Sequence, residues 1–161
     1  MTLRFRFFGK VADGKMRMVS ADCIDFENRF IYYSYRSYTA EGDVYEDGDC
    51  IDFSDVVLMQ STGLFDKNGK EIFEGDVVKF NDTWAEYDYE GCVDGASEGE
   101  NFTEIIRTED GFSFGRTKIP ESSLFDFLND EHMKFSEIVK SDDFSMAVVG
   151  NIYKNPELVE G

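Results

Sequence analysis

The run Thr83-Trp-Ala-Glu-Tyr-Asp-Tyr-Glu90 places Glu86, Asp88 and Glu90 among Trp84, Tyr87 and Tyr89. Carboxylates interleaved with aromatics offer an arginine-rich groove what it takes from nucleic acid: negative charge in place of phosphate and flat rings in place of bases. Trp and Tyr are also favoured anchors of interface hot spots. The same run reads as well as a solvated strand whose aromatics face the core, with Glu98-Gly-Glu-Asn101 as a flexible acidic loop. The acidity extends past this run. From Asn81 to Gly111, Asp82, Glu86, Asp88, Glu90, Asp94, Glu98, Glu100, Glu104, Glu109 and Asp110 stand against one base, Arg107. We take Asp82, Trp84, Glu86, Tyr87, Asp88, Tyr89, Glu90, Asp94, Glu98, Glu100 and Glu104 as the candidate partner-binding residues.

No comparable case exists for catalysis. His132 is the single histidine. A Ser-His-Asp triad, a Cys-His dyad and a histidine metal site would all have to use it, yet its surroundings, Asn-Asp-Glu-His-Met133, read as a solvated helix end. Cys23, Cys50 and Cys92 are scattered and lack metal-knuckle spacing. Neither phosphate-cradling glycine motif occurs. Asp66-Lys-Asn-Gly69 superficially resembles a calcium loop, but with Gly69 at the sixth position Leu64 falls at the first and Gly75 at the twelfth. Asp43 to Asp52 fails in the same way. Carboxylates are too abundant for any pair to mark a glycosidase, and their charge would repel the substrate of a magnesium nuclease. The chain reads as non-catalytic, with neither cofactor nor metal.

Composition narrows the class. The 161 residues carry 34 acids against 16 bases, a net charge of −18. Phosphate backbones and anionic membranes would repel such a chain, whereas basic proteins, including those that hold DNA or RNA, would attract it. Sixteen Phe and eight Tyr supply ample core material, and two prolines leave no linker between halves. An odd cysteine count without a secretory leader suggests reduced thiols in a bacterial host cytoplasm. No run approaches the roughly 18 apolar residues of a membrane span.

The elements that must position these residues are short strands. Leu3 to Phe8 and Lys15 to Val19 alternate about a turn at Asp13-Gly14, and Arg29 to Arg36 is rich in strand formers. Ala40 to Asp52, acidic and glycine-bearing, reads as a loop or hairpin tip. Asp55 to Gln60 reads as a buried strand. It leads into Asn68-Gly69, a favoured pair for a two-residue type I′ hairpin loop, and then into the alternating Asp76 to Phe80. The aspartate of Glu74-Gly-Asp76 reads first as bonding its own backbone, and Asn151 as a strand-bend residue. Phe102 to Phe114 suits a hairpin about Glu109-Asp110-Gly111. Pro120 to Met133 is the best helix, with Ser122 or Ser123 as cap and Leu124, Phe125, Phe127 and Leu128 as its apolar stripe. Ser145 to Tyr153 reads as one continuous apolar strand stopped at Asn155-Pro156. Short strands with glycine turns favour a small barrel or sandwich plus one helix.

Thr62-Gly-Leu-Phe-Asp-Lys-Asn-Gly-Lys-Glu-Ile-Phe-Glu-Gly-Asp-Val-Val78 and Val148-Val-Gly-Asn-Ile-Tyr-Lys-Asn-Pro-Glu-Leu158, in that order, resemble the central and closing motifs of the YopX family of phage and prophage proteins. The opening, Arg4-Phe-Arg-Phe-Phe8 with Lys15-Met16, is similar to that family's start, although Phe8-Gly9 replaces its usual Trp-Asp. The resemblance implies a β-rich fold with an SH3-like barrel, a phage or prophage origin and no established reaction. The expected architecture is therefore mainly β (β-dominated α+β). It has an N-terminal β-hairpin extension over residues 1–54, an SH3-like barrel over 55–161 and an acidic insertion over 81–104. The expected function is a non-catalytic accessory protein that binds a host protein with a basic surface. Its target would be a nucleic-acid-binding or defence enzyme of CRISPR or restriction type, approached through a nucleic-acid-mimicking face. Two alternatives stand beside it. One is a structural homo-oligomer. The other is a small-ligand (nucleotide signal) binder, which would need Arg4, Arg6, Arg17, Arg29 or Arg36 to converge on a pocket.

Overall fold

The computed structural model describes residues 3–116 and 134–160; the helix expected over Pro120 to Met133, and His132 with it, lies outside them. The protein is mainly β, and its strands form antiparallel sheets. It divides into two compact units, Met1–Gln60 and Ser61–Gly161.

In the first unit, β1 (Phe5–Lys10) lies between β2 (Met16–Ser20) and β6 (Val56–Phe65), antiparallel to both. Strand β6 continues past Gln60 into the second unit. A separate three-stranded meander runs β3 (Cys23–Asp25), β4 (Phe30–Tyr38), β5 (Val44–Asp52). Phe7, Ile31 and Tyr33 are buried at the centre of this unit, with Val19, Ile51, Phe53 and Leu58 packed around them. The Phe7 and Tyr33 rings meet edge to face at 5.3 Å, an arrangement in which a positive ring edge meets a negative ring face.

Strand β5 corrects the expectation of a loop over Ala40 to Asp52. It pairs with β4 along its whole length, from Phe30↔Asp52 to Tyr38↔Val44. Its acids disfavour a strand locally, but the Tyr-rich partner supplies a complete ladder, and that tertiary pairing decides the outcome. The loop shrinks to Thr39–Asp43.

The second unit contains β7 (Glu71–Phe73), β8 (Asp76–Tyr87), β9 (Val93–Thr108), β10 (Gly111–Phe114), α1 (Phe135–Ile138) and β11 (Ala147–Asn151). Its main sheet has the order β10-β9-β8-β11, antiparallel throughout. Ile72, Val78, Phe80, Ile105, Phe112, Phe114, Phe135, Val139 and Met146 form its core. The closing strand is shorter than Ser145 to Tyr153 and is interrupted, because the register shifts between Val148 and Gly150. Ser145 turns instead, with φ at 46°.

Hairpin loops here share one template. In Val11–Lys15, Thr39–Asp43, Asp66–Lys70 and Asp88–Cys92 the first residue's N–H donates to the fifth residue's carbonyl, and a glycine at the fourth position donates back to the first. Gly69, at φ 78°, shows why: the chain must pass through the left-handed region there to rejoin the strand. Asn68 keeps negative φ, so Asp66–Lys70 is a three-residue loop and not the expected two-residue type I′ turn.

The central and closing motifs that carry the family resemblance build this unit. The Asp66 carboxylate is buried and accepts the N–H groups of Asn68 and Lys70 on one oxygen, both at 2.9 Å, and of Val148 on the other, at 2.8 Å. One side chain thus shapes its own loop and ties β11 to it. Asp76, also buried, accepts the Phe73 N–H at 2.9 Å and faces the Asn151 amide, whose oxygen takes the Tyr153 N–H at 3.0 Å. The expected backbone role of Asp76 and the bend role of Asn151 are both present in this geometry.

Candidate partner-binding surface

Strands β8 and β9 form one long hairpin, with Val77↔Glu104 near its base and Tyr87↔Val93 at its far end. The base is held from both sides. Strand β11 pairs with β8 at Asp76–Lys79, and β10 pairs with β9 at Ile105–Thr108. Beyond Lys79 and Ile105 no further strand among the described residues pairs with either side of the hairpin, although Asn81 still bonds the segment before β11. The loop at its tip is set by Asp88, whose side chain accepts the N–H groups of Glu90 at 2.8 Å and Cys92 at 2.9 Å.

Directly opposed residues of an antiparallel pair share a face, which divides the candidates. Val78, Phe80 and Asp82 face inward with Asn101, Thr103 and Ile105, all buried. Asp82 is only 6% exposed and accepts a hydrogen bond from the Asn101 amide, so it belongs to the interior and not to a contact surface. The opposite face carries Tyr87, Glu98, Glu100, Phe102 and Glu104. At the irregularity between Ala85 and Tyr87, Asp94 and Gly95 stand against Glu86 alone, which places Glu86 and Asp94 on the side of Asp82, beyond the core. Trp84 pairs with Ser97 in the register. Tyr87 is 66% and Tyr89 95% exposed, so neither ring packs into the core. Glu98-Gly-Glu-Asn101 is strand and not a loop.

The electrostatics are one-sided. No Lys or Arg occurs from Asn81 to Phe102. The base of the hairpin supplies Lys79, which pairs with Glu100 at 2.5 Å and lies 5.7 Å from the centre of the Phe102 ring. Glu104 faces Tyr153, whose hydroxyl is pushed above its usual range by burial first and then by the charges of Glu74 and Glu104.

Tertiary structure adds two acids that the sequence reading missed. Asn81 donates its N–H to the Phe144 carbonyl at 2.7 Å and its side-chain amide to the Asp142 carbonyl at 2.9 Å. This brings Asp142 and Asp143 against the hairpin. A groove results, lined by Asn81, Asp82, Thr83, Glu98, Gly99, Glu100, Asp142 and Asp143. The sequence signal was the Asp-Asp pair itself, which carries no indication of where it packs. Among the described residues no group of three or more His, Cys, Asp or Glu could hold a metal ion.

Three of the five arginines of the first unit have separate local partners. Arg17 pairs with Asp13 at 2.6 Å, Arg36 with Glu46 at 3.3 Å, and Arg29 lies 5.4 Å from the centre of the Phe53 ring. The three do not meet at one anion pocket.

A protein-family profile described as YopX protein matches residues 4–160, nearly the whole chain, and the chain belongs to that family. The fold is similar to the crystal structure of protein EF1440 from Enterococcus faecalis. That match has a TM-score of 0.56 and 24% identity, and it covers 99% of each chain. A search of curated proteins finds no match.

Proposed function

We propose that this member of the YopX family is a non-catalytic phage or prophage accessory protein that acts in the host cytoplasm by binding a basic host protein. The contact surface is the outer half of the β8–β9 hairpin together with Asp142 and Asp143. The observation that carries this reading is the groove where Glu98 and Glu100 meet Asp142 and Asp143, two distant acidic segments with no base among the lining residues. Exposed Tyr87 and Tyr89, at the far end of the same hairpin, supply flat apolar area for an interface. A surface of this kind suits a partner whose own arginines and lysines hold nucleic acid, such as a defence nuclease. The acidic ridge would occupy the phosphate track, and the attraction would steer encounter from a distance.

The test is capture from bacterial lysate at low and high salt, followed by affinity measurement on the captured partner. Charge reversal should use Glu90, Asp94 and Glu98. Asp82 and Asp88 are to be spared, because one is buried and the other shapes the loop. The triple variant E90K/D94K/E98K should lose about tenfold or more in affinity, and raised ionic strength should weaken the wild type in parallel. Affinity unchanged by both treatments would refute the electrostatic mechanism.

A further inference from the structure

Strand β5 ends the three-stranded sheet β3-β4-β5, and among the described residues no strand pairs with its outer side. Such an edge presents a row of unpaired N–H and C=O groups on which another strand can add. The hairpin geometry identifies which groups these are. Thr39 and Asp43 are bonded across the loop, so bonded pairs recur at every second position and Tyr45, Asp47, Asp49 and Ile51 point their amides toward β4. Val44, Glu46, Gly48, Cys50 and Asp52 therefore point theirs outward.

Two of these outward amides are already occupied. Gly48 N–H donates to Asp47 Oδ1 and Cys50 N–H donates to Asp49 Oδ1, both at 2.8 Å. The second oxygen of each carboxylate faces a tyrosine directly across the ladder: Tyr35 Oη lies 3.5 Å from Asp47 Oδ2, and Tyr33 Oη 3.5 Å from Asp49 Oδ2. The same three-part unit thus occurs twice in succession, with a tyrosine hydroxyl steadying a carboxylate that covers the next residue's free amide.

We infer that Asp47 and Asp49 close the outer edge of β5 against strand addition, above all by a second copy of this chain. The most symmetric pairing of two β5 edges is antiparallel about Gly48. Its central bonds would use the Gly48 amides, covered by Asp47, and its next bonded pairs would set Cys50 against Glu46 and use both amides, of which Asp49 covers that of Cys50. That pairing would also set Asp47 of one copy opposite Asp49 of the other, two like charges in direct opposition. Tyr38, Val44 and Tyr45, all more than half exposed, would otherwise give such an edge ample apolar surface for self-association.

The test separates covering from charge. The double variant D47A/D49A removes both covers, whereas D47N/D49N removes the charge and keeps an oxygen that can accept the same amides. Light scattering should give D47A/D49A twice the wild-type mass, rising with concentration, while D47N/D49N stays at the wild-type mass. Amide exchange at Gly48 and Cys50 should be slow in the wild type and in the Asn variant, and faster in any unassociated Ala variant. Doubling of the Asn variant as well would show that charge alone keeps the edge apart and would overturn the covering role. A folded D47A/D49A, checked by circular dichroism, that keeps both the wild-type mass and slow exchange would overturn the inference altogether.

Discussion

Asp66 and Asp82 both read from the sequence as members of acidic or turn-forming runs, and both turn out to be interior acceptors. Their burial separates them from neighbours of the same type. Asp66→Ala takes the acceptor from three backbone N–H groups, of which those of exposed Asn68 and Lys70 can turn to water, so the variant should lose about 1–3 kcal/mol in urea unfolding. Glu98→Ala, at an exposed position, should stay within about 0.5 kcal/mol of the wild type. If Asp66→Ala proves as mild as Glu98→Ala, the tie from loop to β11 is not what holds that unit. Ser145 offers the reverse case. Its φ of 46° is costly for any residue with a Cβ, so Ser145→Gly should raise stability by about 1 kcal/mol, a gain visible as a higher Tm. The strain was hidden in the sequence, where Ser145 looked like the first residue of a strand.

Among the elements, the hairpins are where sequence and structure agree best. A glycine four residues beyond the last strand position marks each of the four shared loops, and Asp13-Gly14 and Asn68-Gly69 are legible as turns in the sequence. What pattern reading could not supply was the loop length, since the same dipeptide serves two- and three-residue loops and the hydrogen bonds decide between them. Two glycines are irreplaceable for different reasons, and substitution should separate them. Gly69→Ala meets no atom within 4 Å, so its cost is conformational and should be about 1–2 kcal/mol. At Gly150 an added Cβ would lie 2.6 Å from Leu158 Cδ1 and 2.9 Å from Asn155 Oδ1. Gly150→Ala must displace the Pro156–Leu158 turn, and the amides of Leu158 and Val159 should exchange faster in it. Unchanged exchange there would mean that the turn can give way without loosening. Strand β5 was missed for a plain reason: nine residues with four acids and a glycine have no strand signal of their own, and they form a strand only because β4 supplies the ladder.

For the molecule as a whole, a net charge of −18 makes the folded state repel itself. Tm at neutral pH should therefore rise as sodium chloride increases from about 10 to about 150 mM, where screening shortens the range of repulsion to roughly 8 Å. A flat or falling Tm would show that the charges are already well separated. Alkaline pH should act in the opposite sense. Tyr33, raised chiefly by burial, Tyr35, raised chiefly by the Asp47 charge, and Tyr153, raised chiefly by burial, all titrate above the ordinary value of 10.0 in the fold. A group whose folded value is raised contributes stability that is present below its unfolded value and is lost as pH climbs through the folded one. Tm should therefore hold to about pH 10 and fall above it, with Tyr33→Phe showing a shallower fall.

The composition and spacing of the residues settled the β-rich class, the glycine-marked hairpins, the family and the concentration of acids between Asn81 and Gly111, because alternation, turn chemistry and net charge are local properties that a chain carries whether folded or not. Only the tertiary structure could assign Asp82 to the interior and Glu98 to the surface, bring Asp142 and Asp143 against the hairpin, make a strand of Val44–Asp52 and fold Asp47 and Asp49 onto their own edge. Each of these depends on which residues, distant along the chain, stand opposite one another, and register between strands is fixed by the pairing and not by the identity of any one residue.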